Sequence, residues 1–187
     1  LIKSMRASDP DAAIYYTVRM LMGGETPRFV ARRMAIFASE DVGNAEPQAL
    51  TMAASAIQVV ELIGMPEAYY TLTQLASYLA LSPKSDAGKK ALARAQTLVR
   101  DKGPVATPLK SRNAPTSMMK DLNYGKDYKD PHAESDGVLG ESYMPEALEN
   151  ERLYFPVERG YEQELRKRLN YVLEKRAERK RSLDSKE

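Results

Sequence analysis

Five prolines, at positions 10, 27, 47, 66 and 83, cut the first half of the chain into stretches of near-equal length. A proline lacks the N–H that a helix interior needs, but it is tolerated in the first turn, where that N–H has no partner anyway. Each of these prolines stands at the head of an apolar-periodic stretch, so the pattern predicts four successive helices. Asp9 and Thr26, just before Pro10 and Pro27, are the right residues to cap them, and Gly23-Gly24, Gly43 and Gly64 stand where helices should stop. Spacing at i, i+3, i+4 and i+7 assigns the inward faces. These are Ile14, Val18, Leu21 and Met22; then Phe29, Arg33, Ile36 and Phe37; then Leu50, Ala53, Ala54, Ile57 and Val60; then Leu72, Leu75, Ala76 and Leu79. A fifth helix from about Ser85 to Lys102 carries a stripe of Ala87, Ala91, Ala95 and Leu98 that lets a partner helix come close, and Gly103-Pro104 ends it. Residues around successive prolines do not match, so the even spacing describes a bundle and not a solenoid.

Beyond Pro104 the texture changes. Six of the eleven prolines fall between 104 and 160, with Gly125, Gly137 and Gly140, leaving room only for short helices near Thr116–Asn123 and Glu146–Glu151. Tyr124, Tyr128, Tyr143, Tyr154 and Phe155 in the same stretch argue for a packed arm, because disordered segments are poor in aromatics. From Tyr161 onward Leu165, Leu169, Val172 and Leu173 form an amphipathic helix, whose continuation over Glu174–Arg181 lacks an apolar stripe and is expected to fray. No strand-length alternation occurs. The reading is all-α: a helical bundle over 1–103, an irregular Pro/Tyr-rich arm over 104–160 packed on it, and a C-terminal helix with a basic tail over 161–187.

The chemistry available to this chain is limited. With no Cys and one His among 187 residues, thiolate catalysis, disulfide frameworks and His-based zinc clusters are excluded. The nine Met residues read as core filler at helical spacing. A phosphate-cradling loop needs a glycine-rich turn ending in Gly-Lys-Ser/Thr. Gly88-Lys89-Lys90 and Gly125-Lys126-Asp127 both fail that test, and Gly137–Gly140 has no strand before it. His132, among Asp130, Glu134 and Asp136, has no accompanying nucleophile, and Glu40-Asp41 reads as a capping or ion-pairing doublet. No catalytic, cofactor or metal residue is assigned. No run of residues is apolar and long enough to span a membrane, and Leu1–Pro10 is too polar for a secretory leader, so a cytoplasmic location is expected. The chain opens on Leu1, not Met, and is expected to be a fragment of a longer protein.

The net charge of +2 conceals a division. Residues 84–129 carry a net +7 and residues 130–158 a net −7. The plainer reading is internal compensation; the blocks can also mate across subunits, or the basic one can face phosphates. In the last case Lys89, Lys90, Lys110, Arg112 and Lys126 are the expected DNA contacts.

Several runs taken together carry a family resemblance. Ser8-Asp9-Pro10-Asp11-Ala12-Ala13 followed by Tyr15-Tyr16 and Arg19-Met20-Leu21 resembles the stretch after the ATPase module of clamp-loader-like AAA+ proteins. Pro27-Arg28-Phe29, Ala38-Ser39-Glu40-Asp41-Val42-Gly43, Leu79-Ala80-Leu81-Ser82-Pro83-Lys84-Ser85, Arg112-Asn113-Ala114-Pro115-Thr116, Tyr124-Gly125-Lys126 and Glu158-Arg159-Gly160 then follow. In order and spacing they resemble the C-terminal region of the replication-associated recombination protein A (MgsA) family, whose eukaryotic relatives are the Werner-helicase-interacting ATPases. Asn44 and the Lys129-Asp130-Pro131-His132 loop depart from the family pattern.

The resemblance implies a clamp-loader-collar-like bundle that gathers subunits into a homotetramer. It also implies an N-terminal AAA+ module that is absent here and would hold ATP and Mg. Action at replication forks, in recombination and repair, is implied for the parent, with DNA and single-stranded-DNA-binding protein as partners in a bacterial, nucleoid-associated setting. The alternative is a module that contacts DNA or that binding protein through the basic 84–129 region. On either reading this fragment is not itself an enzyme.

Overall fold

The computed structural model describes residues 1–184, and every regular element among them is helical. The helices are α1 (Ile2–Arg6), α2 (Pro10–Met22), α3 (Pro27–Phe37), α4 (Gln48–Ile63), α5 (Ala68–Leu81), α6 (Ala87–Lys102), α7 (Ser117–Asp121) and α8 (Glu162–Asp184), with short π and 3-10 turns between them. The all-α reading holds. The chain forms two compact units, one of Leu1–Leu92 with Tyr154–Arg166, the other of Ala93–Leu153 with the chain from Lys167 on.

The expected caps are made. The Asp9 carboxylate accepts from the Ala12 N–H at 2.9 Å and the Thr26 hydroxyl from the Phe29 N–H at 3.2 Å, each with proline opening the helix behind it. Pro66 and Pro83 behave differently from the sequence expectation. Pro66 lies in the turn before α5, and Pro83 follows the end of α5 and precedes the start of α6 at Ala87. Gly64 has already ended α4 before Pro66, whose carbonyl accepts from the Tyr69 N–H in the turn entering α5, while Pro83 stands in the gap between two helices, where its missing N–H costs nothing.

The core of the first unit is rich in alanine. Ala49, Ala53 and Ala56 of α4 meet Val30, Ala31, Met34 and Phe37 of α3 and Leu72, Leu75, Ala76 and Leu79 of α5, while Met5, Ala13 and Leu21 bring in α1 and α2. Thr17, the buried polar residue of α2, is satisfied by its own helix, donating to the Ala13 carbonyl at 2.8 Å. Small side chains bring helix axes together and leave little room for bulky ones. That tightness explains where the sequence assignment of faces fails. Phe29, Arg33, Ile36, Leu50 and Met22, all assigned inward, are exposed, and the buried stripe of α3 is turned by one residue to Val30, Met34 and Phe37.

Three segments lock together at the base of this unit. After α3 the chain makes a π turn, Ala38–Val42, closed by the Gly43 N–H donating to the Ala38 carbonyl. Gly43 then takes φ +53° and ψ −139°, a region open almost only to glycine. The Asp41 carbonyl accepts from the Ser85 N–H at 2.8 Å, and the Asp41 carboxylate receives Arg6 through two bonds of 2.7 and 2.9 Å. Lys84 lies over the Phe37 ring and donates to the Ala80 carbonyl at 2.8 Å and to the Ser82 carbonyl, so its ammonium caps α5; burial pushes its pKa down and Asp41 partly opposes that. Ser85 caps the next helix, accepting from the Ala87 N–H at 3.2 Å. The third segment arrives at Tyr161, whose N–H donates to the Ala45 carbonyl at 2.8 Å. Glu162, fully buried, accepts from the Val157 N–H at 2.7 Å and the Tyr154 hydroxyl at 3.2 Å, and Asn44 donates to that hydroxyl in turn.

The second unit buries few large apolar side chains, chiefly Val138, Leu139 and Leu148. Charge and ring contacts hold much of it. Arg112 stacks on Tyr124, with the guanidinium carbon 5.1 Å from the ring centroid, and donates to the Thr107 carbonyl at 2.8 Å. Asp136 accepts from the Val138 N–H, the Tyr171 hydroxyl and Arg179 at 3.0 to 3.1 Å. Those anchors explain why the predicted fraying of Glu174–Arg181 does not occur and α8 continues to Asp184. Near the predicted short helix at Glu146 there is a single 3-10 turn, Glu146–Leu148.

Gly160 has φ +54°, and a Cβ there would lie 2.0 Å from the Ala45 carbonyl oxygen. Gly160→Ala is therefore expected to lower unfolding free energy by about 3 kcal/mol or more, from backbone strain plus a clash with main chain. Gly88→Ala, in α6 with open space around the added carbon, is expected to stabilise by about 0.5–1 kcal/mol. Urea denaturation of both variants checks the pair.

Candidate functional site

The residues expected to contact DNA are divided between the two units. Lys89 and Lys90 belong to the first and Lys110, Arg112 and Lys126 to the second. In the first unit Lys89 pairs with Glu40, and Lys90 pairs with Asp86 at 2.9 Å along α6. In the second, Lys110 donates to Glu141 at 2.6 Å and lies 4.9 Å from the Tyr143 ring centroid; Arg112 is engaged by Tyr124 and Thr107 as described. Lys126 is exposed, in the turn after α7.

The opposite charge blocks do meet inside the second unit. Glu141 receives Lys110 and Lys129, both at 2.6 Å, from the middle and the end of the basic stretch. Three further acids of the block meet α8, where Arg179 pairs with Glu134 and Asp136 and Lys180 approaches Glu149 at 3.6 Å. The hydrogen bond from Lys110 is the largest cause holding the Glu141 carboxyl below its usual pKa, with Lys129 next.

The glycine–lysine runs do not fit a nucleotide. Gly88 is the second residue of α6 with no glycine-rich loop before it, and Gly125 lies in a turn and donates its N–H to the Leu109 carbonyl, so neither run forms a loop that wraps a phosphate. No triphosphate chemistry is assigned to them. Among the described residues no group of three or more His, Asp or Glu side chains converges as a metal site, and His132 is exposed. No helix among them is long and apolar enough to cross a membrane.

What the first unit does present is apolar surface. Ile36, Leu50 and Leu92 open onto a shallow groove of about 680 Å³, completed by Ala35, Ser39, Gly88 and the Lys89–Glu40 pair. A second surface runs along the α4–α5 hairpin. Thr51, Ser55 and Val59 of α4 face Thr71 and Gln74 of α5 across a surface groove, which continues past Gln74 to Tyr78 and Leu81. Leu62, Tyr70 and Leu81 are 86%, 78% and 67% exposed. Helical spacing missed this surface because it assumes each helix has one buried face. The signal was charge: from Gln48 to Leu81 there is no Lys or Arg, and the only acids are Glu61 and Glu67. Both helices keep polar side chains there, Thr51 and Ser55 on α4 and Thr71 and Gln74 on α5, so what this surface lacks is cations and not polarity.

Comparison with known proteins gives these surfaces a family. Residues 7–173 match the family described as MgsA AAA+ ATPase C terminal. The chain is 45% identical over 187 residues to a replication-associated recombination protein A of Coxiella burnetii, covering all of this chain and 42% of that protein. It is 39% identical over 175 residues to the protein of that name from Escherichia coli K12, covering 93% of this chain and 39% of that one. An ATPase WRNIP1 of Dictyostelium discoideum is 42% identical over 156 residues, covering 82% of this chain and 18% of that protein. The chain belongs to the MgsA AAA+ ATPase C-terminal family. It spans less than half the length of these relatives.

The depressed Glu141 pKa has a consequence for stability. A carboxylate whose folded-state pKa is lowered contributes stability that is complete above its unfolded value, near 4.3, and is lost as pH falls through the folded value. Urea midpoints measured from pH 6 down to pH 3 are expected to fall across the acid range. Glu141→Gln should start lower at pH 6 and fall less steeply, while keeping the contribution of Asp136, whose pKa is also lowered, chiefly by the Val138 N–H.

Proposed function

We propose that this chain is the assembly region of an AAA+ ATPase acting in replication-fork maintenance, recombination and repair. It gathers copies of an ATP-hydrolysing module into a homotetramer in the bacterial cytoplasm, near DNA. The covalent work, with ATP and Mg, belongs to that other module. Two relatives named above carry replication-associated recombination in their names and a third is named an ATPase, which supports the setting.

The observation that carries the assembly reading is the apolar surface of the first unit. Ile36 and Leu50 fall at positions where periodicity calls for core, yet both are exposed around one groove. Burying a Leu or Ile side chain stabilises by roughly 1.5–3 kcal/mol, so covering such a surface on several copies is a sufficient driving force for association. Interfaces of permanent assemblies are apolar in this way.

A second reading has a narrower basis. Lys126 is exposed in a stretch whose other expected DNA contacts are occupied by partners within the chain, which favours a modest phosphate contact there, or one to single-stranded-DNA-binding protein.

Sedimentation equilibrium of the 187-residue chain at micromolar concentration is expected to give four times the monomer mass. A monomer overturns the assembly reading. Retention on single-stranded DNA that falls steeply with salt and is reduced by Lys126→Glu is what the second reading requires; retention unchanged by that substitution removes it.

A further inference from the structure

We infer that the pocket at Glu46, in the first unit, receives an arginine side chain of a separate partner protein, with the Glu46 carboxylate accepting from the guanidinium. The site lies beyond the self-assembly reading, which does not use it.

The pocket is a groove of about 390 Å³, open to solvent. Met52, Tyr78, Leu81 and Pro83 give it apolar walls, and Gln74 and Ser77 add neutral polar atoms. Glu46 is the only charged residue among the described residues that line it. It stands on a fixed support. Ala45 before it is buried, with its carbonyl held by the Tyr161 N–H at 2.8 Å, and Pro47 follows it.

The Glu46 side chain is half-buried, and it accepts from the Gln48 N–H at 3.2 Å and from the Tyr78 hydroxyl. Both donors are neutral. Burial, and after it Glu46 itself, push the Tyr78 phenol up, so the hydroxyl keeps its proton and stays a donor. Among the described residues Glu46 has no ion pair. The sequence shows why: no Lys or Arg falls between Arg33 and Lys84. Lys84 is occupied by the Ala80 and Ser82 carbonyls and the Phe37 ring.

These features select the ligand chemistry. A carboxylate partly withdrawn from water gains most from a charged donor, whose hydrogen bonds are about twice as strong as those of a neutral one. Apolar walls favour a cation carried on a methylene stem over a bare hydrated ion. Of the two such side chains, arginine fits better, because its planar fork can bond a carboxylate through two N–H groups while its face stacks on a tyrosine ring. Tyr78 supplies that ring. Phosphates and acidic peptides are repelled by the same carboxylate. An open groove does not enclose most of a free small molecule, as ligand cavities do, whereas a side chain presented by a protein needs only its tip covered.

The probe is N-acetyl-arginine methylamide, followed through the Met52 methyl and Tyr78 ring NMR signals of the 187-residue chain. Saturable shifts at both residues are expected. N-acetyl-citrulline methylamide, of similar shape without the charge, is expected to bind at least about fivefold more weakly. Glu46→Gln should weaken the arginine probe by a similar factor and leave both the citrulline probe and the sedimenting mass unchanged. Equal binding of the two probes, or undiminished arginine binding by Glu46→Gln, overturns the site. Butylguanidine separates the sources: tighter binding than the capped arginine gives the pocket to a free small molecule and overturns the protein partner. A fall in sedimenting mass on Glu46→Gln gives the arginine to a second copy and overturns the separate partner. A monomeric chain that still binds the arginine probe overturns only the self-assembly reading. If Glu46→Gln fails to fold, the probe comparison on the unsubstituted chain decides.

Discussion

The contact on which the first unit depends is a single main-chain meeting, the Tyr161 N–H on the Ala45 carbonyl, made with Gly160 pressed against that same carbonyl. Residues 43–46 lead into α4, and residues 160–162 open α8, more than a hundred positions later. The approach is possible because position 160 has no Cβ and can take a positive φ. Around it the buried Glu162 carboxylate is joined to the half-buried Tyr154 hydroxyl, which accepts in turn from the exposed Asn44. The pairing matters most at Glu162, since a buried carboxylate left unpaired would carry its full desolvation cost.

Seen from there, the runs that gave the family resemblance have physical roles. Ala38–Gly43 is a π turn that presents Asp41 to Arg6 and Ser85. Ser82–Ser85 ends one helix and starts the next, with a lysine capping the first and a serine the second. Arg112 and Tyr124 are partners in a stack. In these contacts the residues hold positions within the fold. The groove at Ile36 and Leu50 borders this base, sharing Ser39 and Glu40 with the π turn.

Local rules made much of the fold legible. Caps at Asp9 and Thr26, the proline starts of α2 and α3, and the stops at Gly23, Gly64 and Gly103 are properties of a few adjacent residues, and they appear where the sequence puts them. Faces were less legible. Periodicity placed Phe29, Ile36 and Leu50 inside because it cannot register that Ala31, Ala49 and Ala53 would draw the helices too close to admit them. Pro66 and Pro83 were read as starts because a proline that begins a helix and one that separates two look alike until the following turn is known. The anchoring of α8 by Asp136 was beyond sequence reading, since it joins residues about forty apart through side-chain chemistry alone. For the surfaces, the most informative signal was an omission, the lack of cations between Gln48 and Leu81.

The two units are built from different forces, and solvents act on those forces in opposite ways. An alanine- and leucine-filled interior gains from lyotropic anions such as sulfate, which are excluded from protein surface and so favour burial. A clasp such as Glu141 between two lysines, only partly withdrawn from water, is weakened by any added electrolyte. Ammonium sulfate would thus tighten the helical body while loosening the loops around Glu141. The ionic medium is thereby a means of telling the two halves apart within one polypeptide.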